Sequence, residues 1–182
     1  MIGTEPARRD GWRVIHTAAD APLERRVWAA EPLPDLYEPC AITFSKGGMP
    51  LPDERTVAYA RLPLDEAQRD DYNELRAQLA PAEDAAPREQ LMGHPALLQG
   101  TPPELMCELA SRGESPWWVP RPGDADAEDI AAAAAEWGLL LQLTSNPAPG
   151  FGWGDGGHFY FYGRRAAMEA GDFSGVWVVF EN

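Results

Sequence analysis

"WGLLLQL", residues 137–143, is the stretch whose reading decides the fold. A strand with one wet face alternates apolar and polar residues, whereas this run is apolar at every position but Gly138 and Gln142. It reads as a strand over Gly138–Thr144 in the middle of a sheet, buried on both faces. Working outward, "HFYFY" (158–162) and "VWVVF" (176–180) supply two further strands. Between those two, "RRAAMEAGD" reads as a short helix that stops at Gly171, a residue free to take the left-handed conformation that closes helices. Upstream, "AEDIAAAAAEW" predicts a helix with Asp124 or Asp126 as its cap. Trp137 and Trp177 fall in the strands and are expected in the core.

The N-terminal half is read from pattern alone. "WRVIHT" (12–17) and "CAITFS" (40–45) alternate and predict two more strands, the second closed by "KGGMPLP". Leu64, Ala67, Tyr72, Leu75 and Leu79 fall within an arc of about 140° at the helical period, which predicts a helix over Leu64–Leu79 with that arc inward. Its other face carries Asp65, Glu66, Arg69, Asp70, Asp71 and Glu74, with Asp65 and Arg69 as an i,i+4 pair. "LAPAEDAAPREQ" reads as a linker. "LMGHPALLQG" is irregular with a brief strand, and "PPELMCELASR" is either helical or extended. The sum is one domain over residues 1–182, of α+β class: a mostly antiparallel, β-rich sheet with a few short helices.

Composition limits the partners. The 182 residues carry 15 basic and 29 acidic side chains, a formal net charge of −14, and Lys46 is the lone lysine. Nucleic acid and anionic membranes are disfavoured, because counterion release needs clustered cations. A basic protein partner is allowed, although acidity alone usually serves solubility. The longest apolar runs fall short of the roughly 20 residues of a membrane span, and the N-terminus has no leader-like apolar region, so a cytoplasmic location is expected. Cys40 and Cys107 form no CxxC and read as buried free thiols. No cluster at metal-ligand spacing is visible, and neither a metal nor a cofactor is expected.

The strong catalytic signatures are absent: there is no P-loop, no GxSxG, no HExxH and no GxGxxG leading a helix. The best constellation is Gln142, Asp155 and His158, with the carboxylate orienting the imidazole and the amide holding a substrate carbonyl, but no nucleophile accompanies it. "GWGDGG" (152–157) is either a glycine-lined ligand rim or a hairpin connection. In the second reading Gly152, Gly154, Gly156 and Gly157 supply positive φ, Asp155 accepts from backbone amides in an Asx turn, and Trp153 folds over the sheet edge. Gln99 and Gln142, inside apolar runs, read as partners for the backbone of irregular neighbours. Trp117 and Trp118, in the Pro-rich "ESPWWVPRP", cannot both point inward on one extended segment, and exposed Trp is enriched at binding hot spots.

"LMGHPALLQG", "CEL", "WGLLLQLTSN", "WGDGGHFYFY" and "AGDFSGVWVVF", in this order, resemble the YwqG-like family of bacterial domains of unknown function. "GWRVIHT", "CAITFS" and "DDYNELRAQL" fit more loosely, so the resemblance covers nearly the whole chain. It implies that this chain corresponds to the C-terminal two-thirds of the family domain, without its usual N-terminal segment. A sheet edge left open in that way invites homodimerisation. Where the family often has acidic, hydroxyl and acidic residues after the central strand, this chain has Thr144, Ser145 and Asn146, which cannot hold a hard dication by themselves.

The functional expectation is a non-catalytic protein-binding module, in the manner of an immunity protein that neutralises a basic effector. Its contact candidates are Trp117, Trp118, Asp70, Asp71 and Glu74. The alternative is a small-ligand-binding protein or hydrolytic enzyme with a pocket at Gln142, Trp153, Asp155 and His158.

Overall fold

The computed structural model describes residues 11–24, 37, 39–46, 50–79, 89–121 and 123–182. Its centre is a four-stranded antiparallel sheet in chain order: β1 (Gln90–Leu91), β2 (Trp137–Thr144), β3 (His158–Arg164) and β4 (Trp177–Glu181). Among the described residues five helices accompany it: α1 (Val57–Ala60), α2 (Glu66–Leu79), α3 (Pro103–Ser111), α4 (Ala127–Ala134) and α5 (Arg165–Glu169). The class is α+β as the sequence predicts. The sheet is not dominant, however, since helices cover more of the described residues than strands do.

The uniform leucine run hides a register shift. Trp137, Gly138 and Leu139 pair with Arg164, Gly163 and Tyr162, and pairing resumes with Leu141 opposite Phe161, so Leu140 is an extra residue in the ladder. A bulge of this kind reverses side-chain parity. It places Trp137, Leu139, Gln142 and Thr144 on one face, where Trp137, Leu139, Tyr160, Tyr162, Trp177 and Val179 pack against Leu97 and against Met106, Cys107 and Ala110 of α3. On the opposite face Leu141, Leu143, Phe159, Phe161 and Phe180 are half-buried and Val178 is buried. The expected burial on both faces is thus complete on one side only.

Polar anchors tie the helices to this core. Glu108 of α3 accepts hydrogen bonds from Arg112 (2.6 Å), Arg164 (2.7 Å) and the Trp137 indole (2.9 Å). Burial would raise the Glu108 carboxyl, but those donors and the two arginine charges hold it below its ordinary value. α5 ends as expected: Gly171 is at φ +77°, and the amides of Gly171 and Asp172 return to the carbonyls of Met168 and Ala167, a Schellman closure.

Several expectations are corrected. Residues 12–17 and 40–45 belong to no strand; Trp12 instead donates its indole N–H to the Val176 carbonyl (2.9 Å) and packs tilted against Trp177, with ring centres 5.3 Å apart. Alternation describes how a segment would sit in a sheet, but it does not supply the neighbouring strand. Cys40 is exposed; only Cys107 is a buried thiol. In α2, Leu75 and Leu79 are exposed, and the half-buried face is Arg69, Tyr72, Asn73 and Arg76. Arg76 bonds buried Asp53 (2.8 Å), the Tyr72 hydroxyl donates to the Pro52 carbonyl, and Arg69 lies over the Tyr59 ring. Asp65 does not pair with Arg69 but forms a capping box with Gln68: each side chain accepts from the other's backbone N–H at 2.9 Å. Asp126 sits at the cap position of α4 without a side-chain bond, and Asp124 accepts from the Arg121 amide instead. The linker at 79–90 falls largely on residues 80–88, and the middle of the turn at 46–52 on residues 47–49, all outside the described residues.

Candidate functional site

The parity set by the bulge gathers polar side chains at one end of the core face. Gln142 lies opposite Tyr160, Thr144 opposite His158, and His158 opposite Glu181. Two of the sequence candidates, Gln142 and His158, therefore meet, together with Tyr160 and Glu181, which pattern reading had not singled out. All of them face the irregular segment after β1. The Gln142 carbonyl oxygen accepts from the Ala96 amide (2.9 Å), and Glu181 Oε2 accepts from the amides of Leu98 (2.8 Å) and Gln99 (3.0 Å). The Tyr160 hydroxyl has one proton for two acceptors, the Ala96 carbonyl (2.8 Å) and Glu181 Oε2 (3.1 Å). His158 Nδ1 lies 3.2 Å from the same carbonyl. From the outer side Arg55, held by Asp53, donates to the carbonyls of Leu97 (2.9 Å) and Gln99 (3.1 Å).

This cluster satisfies the backbone of a segment that has no ladder partner, as buried peptide groups require. Its titrations fit that role. Burial lowers the His158 imidazole below its ordinary value, against the opposing pull of the Ala96 carbonyl and the Glu181 charge. Burial, with Glu181 beside it, raises the Tyr160 hydroxyl. A general acid or base needs a lone pair or proton facing substrate, whereas His158 Nδ1 and the Tyr160 hydroxyl are engaged with the Ala96 carbonyl. Thr144 Oγ1 is buried without a hydrogen-bond partner among the described residues.

Asp155 does not join the cluster. It is exposed and accepts none of the backbone bonds that an Asx turn would make, so the stapling role expected of it is corrected. The connection is held instead by Ser145, whose hydroxyl accepts from the Trp153 amide (3.0 Å) and donates toward the Gly157 carbonyl (3.2 Å). Trp153 closes it by donating its indole N–H to the Thr144 carbonyl (3.1 Å) and packing on Phe151 and Phe159. Gly154 and Gly156 do adopt positive φ. Gly157 is needed for space, since a Cβ there would lie 2.6 Å from the Glu181 carbonyl oxygen and 2.7 Å from the Phe180 ring. Gly152 meets neither requirement.

The aromatic loop behaves differently. Pro116 is buried and roots it, after which Trp117, Trp118 and Val119 are 48%, 42% and 51% exposed side by side. Together with Pro120, Arg121 and Asp124 they line an open cavity of about 760 Å³. Exposed carboxylates follow within a few residues at Asp124, Asp126, Glu128 and Asp129. Asp70, Asp71 and Glu74 are likewise exposed on α2. Among the described residues no group of three His, Cys, Asp or Glu side chains converges as a metal site, and no helix is long and apolar enough to cross a membrane.

Residues 1–181 match the family model described as Domain of unknown function (DUF1963), and the chain belongs to that family. A comparison with curated proteins gave no match.

Proposed function

We propose that this DUF1963 member is a non-catalytic binding module of the YwqG-like kind that captures a basic protein through the aromatic loop at Trp117 and Trp118, as an immunity-type neutraliser would. The observation that carries the reading is the pair of adjacent, half-exposed indoles followed by carboxylates. Neighbouring Trp residues are costly to leave in water and are enriched among residues that dominate binding energy. An indole face also attracts Arg and Lys cations, by about 0.5 to 2 kcal/mol. The carboxylates of the loop, those of α2 and the net charge of −14 raise encounter rates with a cationic partner. A hydrolytic or ligand-binding centre at Gln142, Trp153, Asp155 and His158 is disfavoured by the use of those polar groups within the chain and by the separate, exposed position of Asp155.

The test is immobilised wild-type chain against a Trp117→Ala/Trp118→Ala variant, with captured partners identified and their kinetics measured at two salt concentrations. Loss of a cationic partner through faster dissociation in the double variant supports the reading. The triple neutralisation Asp70→Asn/Asp71→Asn/Glu74→Gln should slow association with little change in off-rate. A partner that binds the double variant unchanged, or whose association ignores salt, overturns it.

A further inference from the structure

A second opening, unrelated to the aromatic loop, lies where α1, the first turn of α3, the end of α4, the start of β2 and the start of α5 converge. Its volume is about 290 Å³, and Val57, Ala58, Arg61, Leu62, Glu104, Ala135, Trp137 and Arg165 line it. The lining is apolar apart from three charged side chains, and those three differ in kind. Glu104 is 4% exposed, yet its Oε2 has no hydrogen-bond partner among the described residues. Arg61 is exposed at the end of α1, and its guanidinium makes no bond or ion pair among the described residues. Arg165 gives one N–H to the Ala135 carbonyl (2.9 Å) and keeps the others.

A buried carboxylate oxygen without a donor is costly, and among the described residues the buried carboxylates of Glu108 and Glu181 each receive three donors. Glu104 is the exception, and it lines a cavity. Burial pushes its carboxyl up to about 7, with its own amide, the Arg165 charge and the Val57 amide offsetting part of the effect. A cationic nitrogen delivered into the cavity would supply the missing donors. Arg61 and Arg165, both lining the cavity, would take an anion, which Arg binds in fork geometry. The aliphatic lining and the modest volume, at the small end of ligand cavities, leave room for a short apolar body only.

We infer that this cavity binds a small aliphatic α-amino acid, with its ammonium at Glu104, its carboxylate at Arg61 and Arg165, and its side chain against Val57, Leu62 and Trp137. Binding an ammonium there fixes Glu104 as the carboxylate, so a proton leaves the protein near neutral pH on binding.

The experiment is calorimetric titration of the full chain with L-valine, L-leucine and L-methionine, alongside two truncated forms of leucine, 3-methylbutylamine and 4-methylpentanoate. At least one amino acid should bind, with both truncated forms weaker by about 10- to 100-fold, the worth of a charge-assisted hydrogen bond. The binding heat should vary with the ionisation enthalpy of the buffer. Glu104→Gln keeps the shape and should weaken binding to a similar degree. Arg61→Ala, at an exposed position that does not threaten folding, should weaken it independently. Failure of all three amino acids to bind at millimolar concentration overturns the assignment. So does 4-methylpentanoate binding as tightly as leucine, or binding that survives both substitutions in folded protein.

Discussion

Replacing Glu104 with Gln should change the way stability depends on pH, whatever the cavity binds. The wild-type carboxyl has an ordinary value of 4.5 in the unfolded chain and about 7 in the folded one. Between those values the folded state holds a proton that the unfolded state has released, so stability is highest below pH 4.5 and falls as pH rises to about 7. At about 1.4 kcal/mol per pH unit the difference amounts to about 3 kcal/mol, a penalty carried in full above neutrality. Gln cannot ionise. It presents an amide of the same shape whose imperfect hydrogen bonding has a cost that does not change with pH. The variant should therefore gain on wild type as pH rises from about 5 to about 8. About 2.5 kcal/mol of that difference falls between pH 5 and 8, so at roughly 2–4 °C per kcal/mol for a domain of this size the two melting temperatures should move apart by roughly 5–10 °C. Thermal melts at four pH values suffice, and taking the difference removes the other carboxylates common to both proteins. Melting curves that stay parallel from pH 5 to 8 would show that Glu104 is solvated or paired in solution, and the argument from its burial would be lost.

Ser145→Ala should destabilise by about 1–2 kcal/mol, because the Trp153 amide loses its acceptor, whereas Asp155→Ala should stay within about 0.5 kcal/mol; urea midpoints compare the two. Gly157→Ala should cost about 3 kcal/mol or leave little soluble protein, since the added methyl meets backbone oxygen that cannot yield. His158 is held below its ordinary 6.5, so the stability linked to it is complete above that pH and is lost as pH falls below it. His158→Asn should accordingly flatten the fall in urea midpoint between about pH 7.5 and 5.5, though His94, shifted in the same direction by burial, leaves part of the slope.

What the sequence makes legible divides by the kind of force involved. β2, β3 and β4 could be read because long apolar runs leave few alternatives, and α5 because Gly171 marks its end. The bulge at Leu140 could not, since a run apolar on both parities carries no information about which residue faces which side. The inward face of α2 was misjudged for the opposite reason. Its leucines describe an apolar arc, but buried Asp53 draws Arg76 inward and the Tyr59 ring draws Arg69, and ionic or cation–π anchors leave no trace in hydrophobic periodicity. At the candidate site, Gln142 was legible as a polar residue inside an apolar strand. Tyr160 and Glu181 were not, because a Tyr in an aromatic run and a Glu at the chain's end read as core and surface until the register places them together.

The contrast among three buried glutamates ranks the possible sites more sharply than any motif does. Glu108 and Glu181 each sit among donors that hold a helix or an irregular segment in place, and such groups are accounted for by the fold. Removing either should show as lost stability. Glu104 receives no comparable set among the described residues: two backbone amides act on it, Oε2 has no partner, and Arg165, which lines the same cavity, lends its charge. A sequence free to vary could replace Glu104 with Leu or Met and gain stability, as buried ionisable groups commonly allow. Its presence beside an open cavity, with a guanidinium that has no partner among the described residues, makes it the position where the fold bears a cost that folding does not explain. A Glu104→Met variant that is more stable than wild type and still folds cooperatively would show that the carboxyl is kept for something other than the fold. One that is less stable would return Glu104 to the structural class of its two neighbours.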